Sequence, residues 1–206
     1  MYIRFKSASF KVYISLIAMK RINGHGHILP EPHQIPKFMK NKKLFWIDDD
    51  KKFMRQGNWT RPITDPSFFL KEKLEWMDTY NIDHGVMLTL SQIYCNGWKQ
   101  QDTKDAVTWQ NDFNASVQVG YPDKFTSGFV VQPLYMDDAL KEIERCVTEY
   151  GLKLLCLPTH FLNTKEEMRG FSRDDYEGYD NVYEGARSDF DPRNWLIQAI
   201  EAVYNL

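Results

Sequence analysis

From Asp65 onward, short apolar runs alternate with stretches of helical period, and this alternation limits the fold more than any other feature of the chain. HGVMLTL (84–90) has no polar alternation, the pattern of a strand covered on both faces. FTSGFVVQP (125–133) and LKLLCLP (152–158) read as two further buried strands. Between them apolar residues recur every three or four positions. Leu70, Leu74 and Met77 follow Asp65-Pro66, which offers an N-cap and a proline for a first helical position. Ala106, Trp109, Phe113 and Val117 mark a second helix, and Leu140, Ile143, Val147 and Tyr150 a third, stopped by Gly151. The Asp-Pro opening returns at Asp191-Pro192, ahead of Leu196, Ile200 and Val203.

Strands separated by helices predict a parallel sheet with crossover connections, in an open doubly wound sheet or a closed barrel. With Arg21–Asn23 as the first strand, four strands are expected, whereas a full barrel takes eight strands and about 250 residues. The expected fold class is therefore α/β, a partial (β/α)8 TIM barrel of about four βα units. A fifth strand would fall after residue 206, so the chain reads as the N-terminal half of such a barrel, stopping before the rest of its active site. Residues 1–19 read as an N-terminal extension and 20–206 as the half-barrel, with an insertion at 31–64. The insertion is rich in proline, aromatics and charge, and at that length it is expected to be a functional loop. Residues 172–191, acidic and rich in tyrosine, read as a solvated loop, since they lack the spacing and glycine of a calcium-binding loop; a lid or partner contact is the alternative.

Composition excludes several classes of function. With 43% apolar and 15% aromatic residues the chain can bury a core. Its 26 Lys plus Arg against 28 Asp plus Glu leave a net charge of −2, which provides no basic field for nucleic acid. Cys95, Cys146 and Cys156 form no CxxC pair, which fits a reducing, cytoplasmic setting. The apolar run from Val12 to Met19 is too short to span a bilayer and no small-x-small cleavage site follows, so no membrane partner is expected.

The chemistry gathers in His25-Gly26-His27, directly after the first strand. In an extended chain residues i and i+2 point to the same side, with Cα atoms about 7 Å apart. Two imidazoles facing one point can seat a cation. Gly24 and Gly26 leave room for the backbone to bend and for a ligand to approach. In a parallel barrel the C-terminal strand ends carry the site, and the pair stands at such an end. By spacing alone the two rings are either metal ligands or satisfied histidines of surface or core, and the residues leave both readings open.

INGHGHILPEP, WTRPITDPSFFLKEKLEWMD, HGVMLTLS, QNDFNASVQVGYPDKFTSGFVVQP and ALKEIERCVTEYGLKLLCLPTHF follow one another in an order that resembles the amidohydrolase-related family of metal-dependent barrels. The likeness is to its 2-amino-3-carboxymuconate-6-semialdehyde decarboxylase branch and runs from residue 20 to about 163. It implies a hydrolase or carboxy-lyase acting on a small carboxylate-bearing substrate. His25 and His27 match the strand-one pair that binds a divalent ion, usually zinc. Arg61, in Trp-Thr-Arg-Pro, matches a clamp for a substrate carboxylate, a role that suits a planar guanidinium; a surface arginine before a proline is the other reading. His160, at the end of the fourth strand, matches a position near the pocket.

The sequence departs from that family in two respects. Asn23 stands where an aspartate is usual, so a hydrogen bond is available there without a negative charge. The family's third metal histidine, its catalytic histidine and its last-strand aspartate have no counterparts in 206 residues, and neither His33 nor His84 is placed to replace them. Catalytic residues are thus expected beyond residue 206. Two alternatives of other classes accompany the enzyme reading: a non-catalytic fragment that pairs with a complementing C-terminal half or with itself as a homo-oligomer, and a small-molecule binding module without chemistry.

Overall fold

The computed structural model describes residues 20–157. The expectations for residues 1–19, His160, residues 172–191 and the helix after Asp191 lie outside the described residues. In chain order the elements are β1 (Ile22–Gly26), α1 (Lys37–Asn41), β2 (Trp46–Ile47), β3 (Phe53–Gln56), β4 (Trp59–Pro62), α2 (Leu70–Thr79), β5 (His84–Met87), α3 (Gln100–Gly120), β6 (Phe125–Val130), α4 (Met136–Thr148) and β7 (Leu154–Cys156).

Four strands form one parallel sheet in the order β1-β5-β6-β7. Each strand lies beside the one that precedes it in this series, after a crossover through α2, α3 or α4. A doubly wound sheet reverses its direction of growth at a switch point. Here the order runs one way only, which is the winding of a barrel. The fold is α/β, a partial (β/α) barrel of four parallel strands.

Packing follows from the apolar runs. All but one of the residues of β6 are buried, as a strand covered on both faces requires. Phe129, Ala139, Ile143, Cys146 and Leu152 pack β6 against α4, while Ile28, Met77, Met87, Val117 and Phe125 fill the space among α2, α3 and the strands. A third cluster joins Met39, Phe45, Ile47 and Met54 of the insertion to Leu29, Phe69, Ile93 and Trp98. The segment 31–64 is therefore not a bare loop. It folds into α1 and the antiparallel meander β2-β3-β4 and shares a core with the barrel strands. Gln56 pairs with Trp59 across the two-residue turn Gly57-Asn58, where Gly57 takes φ 55°.

Three boundaries differ from expectation, each for a local reason. Asp65 caps a 3-10 turn at Pro66–Phe68 by accepting from the Ser67 N–H at 2.8 Å, and α2 starts only at Leu70. The backbone of Leu29 bridges to Phe69 and bonds to Phe68, which holds that turn away from the helix axis. The run 84–90 leaves the strand after Met87, and β1 extends to Gly26, so His25 is a strand residue. Among the described residues no helix is long and apolar enough to cross a membrane.

Gly151 does stop α4. It takes φ 64°, and the Leu152 N–H reaches back to the Cys146 carbonyl at 3.0 Å. A Cβ at Gly151 would meet nothing within 4 Å, so the cost of a side chain there is conformational alone. Gly151→Ala is expected to lower stability by about 1 kcal/mol, seen as a fall of roughly 2–4 °C in Tm. An unchanged melting curve would contradict the left-handed stop.

Candidate metal and carboxylate site

The site begins with an irregularity in β1. Asn23 pairs with Gly85 but Gly26 pairs with Met87, so β1 spends three steps where β5 spends two. The extra residue bulges the strand and re-aims its side chains. Asn23 supports the bulge by accepting the His25 N–H on Oδ1 at 3.1 Å. The amide at the place of the family's aspartate thus holds backbone and adds no charge to the site. A Cβ at Gly26, between the two rings, would stand 2.7 Å from Met87 Cε, the movable end of a flexible side chain.

The bulge brings the two imidazoles together. His25 Nε2 and His27 Nε2 are 3.2 Å apart, and the rings meet edge to face, their centroids separated by 5.0 Å. His27 is half-buried, and its Nδ1 donates to the Leu88 carbonyl at 2.9 Å, just past the end of β5. That bond fixes the tautomer: Nε2 of His27 keeps its lone pair and faces His25. Burial, opposed by the Leu88 bond and reinforced by the charges of His25, Lys73 and Arg61, holds the His27 imidazole below its usual range. The ring is neutral at neutral pH, the state in which imidazole binds a metal.

Two nitrogens bound to one ion at about 2.0–2.1 Å stand roughly 3–3.4 Å apart, and the observed separation, which is also that of a hydrogen bond between the two rings, matches that spacing. The donor set is nonetheless short. Among the described residues no three His, Cys, Asp or Glu side chains gather at one point, and zinc sites use three or four protein ligands. His84 cannot contribute: Nδ1 bonds to the Asp123 carbonyl and Nε2 to Thr126 Oγ1, at the opposite end of β5 from Leu88. His33 is exposed in a 3-10 turn of the insertion.

Arg61 lies on β4, opposite Met54 of β3, with an exposed side chain. Its charge is the smallest of the causes that hold the His27 imidazole low. Lys73 of α2 acts on the same ring, and the sequence reading passed over it. Its signal was there to read: a lysine at i+3 between Leu70 and Leu74, on a face otherwise apolar. His160 is outside the described residues.

No protein-family model matches the sequence. Solved structures match the fold. 5-carboxyvanillate decarboxylase from Novosphingobium aromaticivorans, with bound manganese and 3-methoxy-4-hydroxy-5-nitrobenzoic acid, superposes with a TM-score of 0.54 at 17% identity, over 89% of this chain and 49% of that one. A second structure of that enzyme, also with manganese and a nitrobenzoic acid, gives 0.53 at 18% identity, over 82% and 47%. 5-carboxyvanillate decarboxylase from Sphingomonas paucimobilis gives 0.50 at 16% identity, over 81% and 48%. These are amidohydrolase-type decarboxylases, the kind that the sequence resembles. The chain spans about half the length of each.

Proposed function

We propose that this chain supplies part of the active site of a carboxy-lyase of the amidohydrolase type, in which His25 and His27 hold a divalent ion and Arg61 holds a carboxylate of a small aromatic acid. The observation that carries this reading is the 3.2 Å approach of two Nε2 atoms at the C-terminal end of a barrel strand. The fold it shares with manganese-containing decarboxylases supports carbon–carbon cleavage over hydrolysis. A divalent ion in this place would supply Lewis-acid polarisation of a substrate oxygen. Zinc suits imidazole donors, and manganese is the ion in the matched enzymes.

The protein's own residues prepare that chemistry. The Leu88 carbonyl orients His27, the bulge at β1 turns His25 toward it, and Asn23 keeps the bulge in place. Arg61, without an ion pair among the described residues, has a fork of N–H donors free for an incoming carboxylate. Further ligands and the proton donor would come from outside the described residues, from later sequence or from a partner chain. Strands β1 and β7 each pair with one neighbour among the described strands, which leaves edges for such a segment or second copy. The three cysteines are free and buried, in keeping with a cytoplasmic setting.

Calorimetric titration of the chain with MnCl2, and separately with ZnCl2, tests the reading. One ion per chain is expected, and replacing His25 and His27 together by alanine should abolish the isotherm. A wild-type chain without saturable binding, or one indifferent to the double substitution, would refute it.

A further inference from the structure

One face of the parallel sheet is covered and the other is not. Gly85, Met87, Phe125, Ser127 and Phe129 share the face that packs against the helices, and all five are buried. His84, Val86 and Thr126, which alternate with them, point the other way. Ile22, paired with His84, and Leu154, paired with Gly128, lie on that same open face. None of these five residues is buried, and Ile22 is 60% exposed. A parallel sheet is stable when both of its faces are covered, and the uninterrupted apolar runs of these strands are written for that. The polar groups on the open face do not stand in the way. His84 Nδ1 donates to the Asp123 carbonyl, and Nε2 accepts from Thr126 Oγ1 at 2.9 Å, so both can be enclosed without orphaning a donor.

The strand count says what fits as the cover. The order β1-β5-β6-β7 leaves β1 and β7 with one free edge each among the described residues. A second copy, turned by half a rotation about an axis on the open side, sets its β1 beside β7 of the first and its β7 beside β1. All eight strands stay parallel, the two seams are identical, and eight strands enclose an interior that side chains just fill. Closed two-fold pairing is also the commonest arrangement of soluble homo-oligomers. The chain spans about half of each barrel that it matches, the share that a second copy restores.

The same operation completes the site. A Cβ at Gly26 would face Met87, on the covered side, so His25 and His27 on either side of it project from the open face. In an eight-stranded barrel alternate strands contribute side chains to one layer, and the β1 strands of the two copies would be the first and fifth of the ring. Their histidine pairs then face each other across one mouth. We infer that this chain is one half of a homodimeric barrel, in which β1 of each copy pairs with β7 of the other and the partner's His25 and His27 bring two further imidazoles to the mouth where one chain supplies two. The pairing goes beyond the carboxy-lyase reading and does not depend on it; only the role of the imidazoles rests on that reading.

Sedimentation equilibrium of the whole chain tests the pairing. A single step to twice the chain mass is expected and no larger species, because a closed ring has no edge left to extend. Ile22→Lys should weaken the dimer about a hundredfold or more: its charge stays in water in the free chain and is shut into the barrel without a counter-ion in the pair. Val119→Lys, at a residue of α3 that is 69% exposed on the outside, should leave the dimer within about twofold. Hydrogen exchange of the unsubstituted protein keeps the test independent of any variant's folding, since the β1 and β7 amides that point away from β5 and β6 should be protected as those within the sheet are. A chain that stays monomeric, an open series of larger species, a dimer indifferent to Ile22→Lys, or edge amides that exchange freely would each overturn the inference. Absence of Mn2+ binding in a dimer that meets these expectations would remove the metal reading and leave the pairing standing.

Discussion

His27→Ala is expected to weaken divalent-metal binding about a hundredfold or more, and His25→Ala only about tenfold. The asymmetry comes from what holds each ring. His27 is half-buried and anchored through Nδ1 to the Leu88 carbonyl, so its Nε2 is aimed before any ion arrives. The His25 side chain is exposed; what the structure fixes is its backbone, through Asn23, and among the described residues its ring bonds to His27. Orientation of a ligand imidazole by a hydrogen-bonding partner is worth about 10–100-fold in affinity. Burial adds to it: because the His27 imidazole is held below its usual range, protons compete less well for Nε2 as the pH drops toward 6. Calorimetry on the two single variants decides the matter, and equal losses, or a larger loss at His25, would contradict the preorganisation of His27.

Much of this arrangement was legible in the sequence, and what was not has physical causes. The buried strands announced themselves because a strand covered on both faces must be apolar throughout, and β5, β6 and β7 all start within the runs at 84–90, 125–133 and 152–158. Where those strands end was not legible. Leu88 is as apolar as its neighbours, yet it leaves β5, and its carbonyl is spent on His27. Apolarity reports burial and is silent on the partner of a backbone group. The insertion was harder still. Its strands are two to four residues long, too short for alternation to stand out, and the clearest signal was the Gly57-Asn58 pair between Phe53–Gln56 and Trp59–Pro62. The pairing of the histidines followed from period-two geometry, but the bulge that brings their nitrogens to 3.2 Å depends on the register against β5, which no local pattern encodes.

The largest effect on stability is expected at a residue remote from the proposed chemistry, Asn111 of α3. Its side chain is fully buried, and its amide does for Val130 what a neighbouring strand would do: Nδ2 donates to the Val130 carbonyl at 2.8 Å and Oδ1 accepts the Val130 N–H at 2.8 Å. Nδ2 also reaches Glu142 Oε1 at 2.7 Å, on α4. One side chain therefore joins two helices to the last residue of an interior strand. Asn111→Ala would leave two backbone groups of β6 without partners in a region that water does not enter, and would open a cavity beside Val130. Glu142 would keep Arg145, 2.6 Å away, so the loss falls on the strand. Each orphaned buried group costs about 1–3 kcal/mol, and with the cavity the total comes to about 3–5 kcal/mol, a large part of what a domain of this size has to lose. Asn111→Asp should do little better: it can still accept from the Val130 N–H, but it offers no donor to the carbonyl and sets a second carboxylate beside Glu142. Urea unfolding of the two variants, read as a shift in midpoint at constant slope, measures the cost. A loss under about 1 kcal/mol in either would mean that the end of β6 is held by something other than this amide.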